Sequence, residues 1–177
     1  ARRASMSFPP QNRLVELMNW AKLDVVTPLK RPSAYREDFG ITTPHVALYS
    51  GNIANKQGLE ILPEVARQLA HRTDLTFAIC GDGSFLAELQ QRAAGFPNIR
   101  FFPLQPIDRL GELLGLASVH LLPQIAGVAD LVLPSKLTNM LASGRPVVAT
   151  AAPGTALHHA VQDCGIAVRP GDATAMA

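Results

Sequence analysis

From His45 onward the chain alternates short apolar runs with longer amphipathic stretches. The runs are HVALYS (45–50), LTFAIC (75–80), IRFFP (99–103), VHLLP (119–123), PVVAT (146–150) and IAVR (166–169). Between them, helical spacing recurs near 58–72, 84–94, 107–117, 135–142 and 155–163, and a last helix begins at Asp172. Each junction carries Gly, Pro, Asp or Ser, as expected of repeated βα units. Runs this uniformly apolar fit strands covered on both faces, and connections this long fit right-handed crossovers between parallel strands. The pattern predicts an α/β fold with an open, doubly wound, six-stranded parallel sheet of Rossmann-like type. In such sheets ligands bind at the carboxyl ends of the strands. Pro63 suits only a first turn, so the first of these helices is expected to start late.

Residues 1–44 break the rhythm and hold the single Trp, at position 20. The stretch RLVELMNWAKLDVV (13–26) predicts a short strand, and residues 27–44 predict a linker with a short helix over 33–39 closed by Gly40. We take 1–44 as a linker and leading segment and 45–177 as one folded unit. Because GDATAMA begins another helix, the unit is expected to be cut from a longer protein.

Composition narrows the function classes. Hydrophobic residues make up 47% and charged residues 17%, which is far from the disordered regime. A formal charge of +2 without a Lys/Arg stripe argues against nucleic acid as a partner. The longest apolar stretch, 110–134, is broken by glycines, prolines and charges, so it does not predict a membrane span. Cys80 and Cys164 are far apart, and the five histidines are scattered or adjacent; neither set builds a metal site. A cytoplasmic location is the expectation that follows.

Cations are more informative. From His45 onward there are two lysines, Lys56 and Lys136, against seven arginines. Both lysines lie where a strand gives way to a helix. In YSGNIANKQGLE, Gly51 follows a strand and Lys56 precedes a helix. In LPSKLTNMLASG, Ser135 is placed to cap a helix that Gly144 ends. A helix start offers unpaired N–H groups and about half a positive charge, and a lysine adds a full one, so each arrangement suits a phosphate or diphosphate. Asn139 falls on the face shared by Ser135 and Lys136, within reach of a sugar hydroxyl, while Leu137, Met140 and Leu141 face the sheet. ICGDGSFL turns through Gly81, Asp82, Gly83 and Ser84 without the spacing of a dinucleotide fingerprint. It is either a tight turn capped by Asp82 or Ser84, or a close backbone approach to a ligand. Asp130 is the single carboxylate between Glu112 and Asp163, placed either to hold sugar hydroxyls or as an ordinary loop acid.

Together, YSGNIANKQGLE, CGDGS and DLVLPSKLTNMLASGRPVVAT resemble the donor-binding, carboxyl-terminal half of GT-B retaining glycosyltransferases of glycosyltransferase family four. The likeness runs over about 45–177 and is nearest to bacterial enzymes of colanic acid and O-antigen synthesis, of fucosyl- or N-acetylfucosaminyl-transferase type; Asn19 and Trp20 resemble the family's interdomain linker. The resemblance implies a UDP- or GDP-linked sugar as substrate, no separate cofactor, and metal-independent transfer to a saccharide or lipid-linked saccharide acceptor. It also implies an amino-terminal domain outside this chain, without which the fragment is inactive, and possible contact with the inner face of the membrane.

By the same resemblance, Gly51 and Asn52 approach the phosphates, and Lys56 and Lys136 stabilise the leaving diphosphate. Many relatives carry an arginine where this chain has Asn52. The family's two glutamates fall at Leu131, beside Asp130, and at Asn139, the ribose position. Residues 103–105, with Leu104 at their centre, contact the base. Gly81, Asp82, Gly83, Ser135 and Leu137 complete the donor-binding positions, and Asp130 stands with the two lysines as catalytic. A non-catalytic nucleotide-binding module and a GT-B sugar-nucleotide epimerase are the alternatives; a signalling receiver domain would need an acidic cluster that Asp82 and Asp130 do not form.

Overall fold

The computed structural model describes residues 21–127 and 133–177. Six strands form one parallel sheet in the order β3-β2-β1-β4-β5-β6. They are β1 (His45–Ser50), β2 (Leu75–Cys80), β3 (Ile99–Phe102), β4 (Val119–Leu122), β5 (Val147–Thr150) and β6 (Gly165–Val168). The order reverses between β1 and β4, so a doubly wound sheet has its switch point there, at the carboxyl ends of those two strands.

The helices are α1 (Tyr35–Asp38), α2 (Leu62–Gln68), α3 (Leu86–Arg92), α4 (Leu110–Gly115), α5 (Ser135–Ala142), α6 (Ala156–Val161) and α7 (Ala173–Met176). Helix α2 starts late, as Pro63 requires, after two 3₁₀ turns at Asn55–Gln57 and Leu59–Ile61. No described helix is long and apolar enough to cross a membrane.

Alternation along β1 divides the core. Ala47 and Tyr49 pack with Leu62, Val65, Phe77 and Leu89 on the α2–α3 face, whereas Val46 and Leu48 pack with Tyr35, Phe39 and Leu113 on the α1–α4 face. A third cluster, Leu122, Leu137, Met140, Val147, Leu157 and Val161, seats α5 and α6 on β4 and β5. Leu141 was expected to face the sheet but is 37% exposed, because it falls outside the arc that Leu137 and Met140 bury.

The predicted strand within 13–26 lies partly outside the described residues. Its described part, 21–26, makes a turn, with the Val26 amide bonded to the Lys22 carbonyl at 2.8 Å. This leading segment then packs along α4 and α5. A Cβ on Gly111 would lie 2.3 Å from the Val25 carbonyl oxygen, and one on Gly115 would lie 2.2 Å from Leu29, so those glycines let the segment sit directly on α4.

The β4–β5 ladder is extended by a side chain. The buried Thr150 hydroxyl accepts from the Gln124 amide at 2.6 Å and donates to the Gln124 carbonyl at 2.7 Å.

Candidate functional site

At the switch point, two glycine loops and the start of α5 meet. Tyr49, fully buried at the end of β1, donates its hydroxyl to the Asn52 carbonyl at 2.6 Å. A buried phenol must find such a partner, and here the partner fixes the loop after β1. Lys136 reaches over the strand ends, so that its Nζ donates to the Tyr49 hydroxyl at 3.4 Å and lies 4.4 Å from the ring centroid. Cation–π attraction compensates part of the cost of burying the ammonium. No carboxylate among the described residues pairs with it, and burial lowers its pKa from 10.5 to about 8.

A Cβ placed on Gly51 (φ +144°) would come within 3.9 Å of Lys136 Nζ, so the lysine head stands directly over this loop. The structure thus brings Gly51, Asn52 and Lys136 together. Lys56 lies on the same carboxyl edge, exposed in the 3₁₀ turn Asn55–Gln57.

The GDG turn is bound to the first loop by its backbone. Gly51 N donates to the Cys80 carbonyl at 3.0 Å, Ile53 N to the Asp82 carbonyl at 2.8 Å, and Phe85 N to the Ile53 carbonyl at 3.0 Å. Gly81 has φ +154°, and a Cβ there would sit 1.9 Å from the Gly51 carbonyl oxygen. At Gly83 a Cβ would lie 2.3 Å from the Ile53 carbonyl oxygen. The two loops thus approach each other closely through their backbones. Asp82 caps its own turn by accepting from Gly83 N at 2.7 Å, as one of the two expected arrangements required.

Helix α5 begins where the spacing placed it, with one correction. Pro134, at φ −59° and ψ 123°, occupies the N-cap, and Ser135 is the first helical residue; its side chain makes no capping bond. Leu137 is buried in the core, and its amide is bonded to the Pro134 carbonyl at 3.0 Å, so neither group faces the crevice as a free contact. Asn139 uses its side-chain oxygen to accept from the Lys22 backbone amide at 3.0 Å, tying the leading segment to α5. Leu104 is 67% exposed beyond β3, with Ile107 exposed beside it, forming an apolar lip on the same edge. Asp130, like Asn19 and Trp20, lies outside the described residues.

Sequence reasoning missed two residues. Tyr49 was hidden in an apolar run, although its hydroxyl is the one polar side-chain atom between His45 and Ser50. Gln124, just past β4, is buried with its side-chain oxygen unpartnered. A Cβ on Gly58 would lie 2.7 Å from the Gln124 carbonyl carbon, so the Lys56 turn packs directly on it. Only its place at the end of a predicted central strand could have pointed to it.

A family model described as "Glycosyl transferases group 1" matches residues 44–177. The colanic acid biosynthesis glycosyl transferase WcaI of Escherichia coli is 50% identical over 108 residues, covering 60% of this chain and 26% of that protein. The alpha-D-kanosaminyltransferase of Streptomyces kanamyceticus is 29% identical over 141 residues, covering 78% of this chain and 34% of its own length. The chain thus spans well under half the length of these relatives. Among solved structures, Anabaena HepE in complex with UDP-glucose superposes with a TM-score of 0.73 at 19% identity, covering 89% of this chain and 44% of that one. A glycosyltransferase from Rickettsia africae gives 0.74 at 17% identity, covering 94% and 46%. These likenesses establish the fold, an α/β Rossmann-like unit of GT-B type.

Proposed function

Because the chain belongs to the group 1 glycosyl transferases, we propose that the crevice at the β1–β4 switch point holds the diphosphate of a UDP- or GDP-linked sugar, with Lys136 as its principal cation. The observation that carries this reading is the Lys136 ammonium, held on the Tyr49 ring over Gly51 with no carboxylate partner among the described residues. A buried cation left without an anion is costly, and a diphosphate supplies one.

In the proposed reaction the bond from the anomeric carbon to the diphosphate oxygen breaks as an acceptor hydroxyl oxygen bonds to that carbon, negative charge grows on the departing oxygen, and the hydroxyl proton passes to the departing diphosphate. Lys136, supported by Lys56, stabilises that charge; one well-placed donor of this kind contributes about 3 kcal/mol. Lysine and backbone donors can take the charge without a metal ion, so the proposal includes metal-independent transfer, with the anomeric configuration retained. In this reading the base lies against the Leu104 edge, which is exposed.

The proposed acceptor is a saccharide or lipid-linked saccharide of a bacterial surface polysaccharide, in line with the name of the E. coli relative, used in the cytoplasm at the inner face of the membrane. In this reading acceptor binding needs residues outside this chain, which by itself binds nucleotide without transferring sugar.

Calorimetric titration of UDP and of GDP, repeated with Lys136→Ala, tests the site. The expected result is a loss of tenfold or more in affinity, about 1.4 kcal/mol. Unchanged binding would remove Lys136 from the site, and sugar transfer by the 177 residues alone would overturn the division of labour.

A further inference from the structure

At the opposite, amino-terminal edge of the sheet there is a crevice of about 370 Å³, walled by the segment leading into α1 and by the residues just before β1, β4 and β5. Lys30, Arg31, Arg36 and Arg145 line it, and among the described residues no acidic one does. One carboxylate nearby, Glu112, is committed: it pairs with Arg31 and accepts from the Ala34 amide at 3.0 Å.

The remaining cations are only partly used. One Arg36 Nη donates to the Thr43 carbonyl, and one Arg145 Nη lies 3.4 Å from the Gly115 carbonyl at the end of α4. The partial negative charge of a helix end, about half an elementary charge, explains one of them. It does not explain the others. Each guanidinium has five N–H donors in a fork that matches phosphate oxygens, and a concave wall of one charge sign focuses the field on what enters it.

We propose that this crevice is a second anion site, for a phosphate group carried either on a soluble molecule or on a lipid headgroup. β1 alone is six residues long, which places the site roughly 20 Å from the Lys136 crevice. Two phosphate sites at opposite strand ends of one sheet would be occupied independently. The ammonium of Lys30 and the guanidinium edges of Arg36 and Arg145 hold the anion, and Ser118, just before β4, lines the crevice beside them.

Proton–nitrogen correlation spectra of the 177-residue chain, titrated with inorganic pyrophosphate, test the proposal. Resonances of Ala117, Ser118 and the Arg145 side chain should shift, and these shifts should persist in Lys136→Ala. Arg145→Gln should weaken the binding roughly five- to tenfold without altering the shifts at Gly51. Lys30→Gln, a change at an exposed position, should weaken it in the same direction and covers the case in which Arg145→Gln impairs folding. Sedimentation with phosphatidylglycerol vesicles, against phosphatidylcholine alone, separates the sources. Vesicle binding that pyrophosphate displaces assigns the site to a headgroup; pyrophosphate binding without vesicle binding assigns it to a soluble phosphate. If neither probe shifts residues 117–118, or if both variants bind as the parent does, the site does not exist.

Discussion

Lys136 and Tyr49, 87 positions apart, form one unit: the ammonium is 4.4 Å from the ring centroid, and the hydroxyl beneath it holds the Asn52 carbonyl at 2.6 Å. The phenol sets both the height of the lysine and the course of the loop. Tyr49→Phe keeps the ring but frees the loop and removes the acceptor for Nζ. Nucleotide affinity should fall roughly three- to tenfold, and stability by about 1 kcal/mol. Calorimetry and urea unfolding measure the two effects. Full affinity in the variant would mean that the ring alone positions the lysine.

The lowered pKa of Lys136 sets a pH window for binding. Below about pH 8 the lysine is charged and ready for an anion; above it the free site is mostly neutral, and binding must recruit a proton. UDP affinity should be flat from pH 7 to 7.5 and should then fall by up to about tenfold per unit above 8. Lys136→Arg, charged throughout, should remove the slope even if it binds less tightly. For folding the sign is opposite. Between about pH 8 and the ordinary lysine value of 10.5 the unfolded chain binds more protons, so this group makes stability rise with pH across that interval.

His120 gives a separate acid-side effect. It is fully buried, its Nε2 is 2.9 Å from the Ser143 hydroxyl, and that hydroxyl donates to the Met140 carbonyl at 2.6 Å. Burial, and secondarily the charge of Arg145, lower its pKa from 6.5 to about 4. The neutral form is the folded form, so its contribution is complete above pH 6.5 and is lost as pH falls towards 4. The loss totals about 3 kcal/mol. Urea midpoints between pH 7.5 and 4.5 should show it, and His120→Gln should flatten that part of the profile. An unchanged slope in the variant would assign the acid sensitivity elsewhere.

Gly81 is the point at which the two loops cannot separate without cost. Gly81→Ala would drive a methyl into the Gly51 carbonyl oxygen, 1.9 Å from the ideal Cβ position, with φ at +154°. We expect destabilisation of about 3 kcal/mol or more, and loss of nucleotide binding beyond what unfolding explains. Thermal melting with and without UDP distinguishes the two. A variant that melts and binds like the parent would show that the loops are not locked.

Much of the fold was legible because the central strands are buried on both faces and read as apolar runs, and because helix starts and stops are written in Pro63, Gly40 and Gly144. α5 was placed to the residue. Ser135 went wrong as a cap because Pro134 already holds extended geometry before the helix, leaving the serine inside the first turn. Lys136 was legible from its position at a strand-to-helix junction, yet its partner was not, since a tyrosine inside a hydrophobic strand reads as packing. Asn139 was expected at a ribose, and its side-chain oxygen is bonded to the Lys22 amide, 117 positions away. A backbone donor in an irregular segment carries no residue-type signal. The GDG turn left two readings open; Asp82 makes the capping bond of the first, and Gly81 and Gly83 admit a close approach between loops that spacing alone does not announce.

The Thr150 hydroxyl, bonded to both the amide and the carbonyl of Gln124, behaves as a counterfeit peptide unit. It hems the sheet beyond the last paired residues of β4 and β5, so the seam finishes cleanly before the chain turns away. The weave on the near side of that hem therefore keeps its closing stitch in a side chain, not in the main chain.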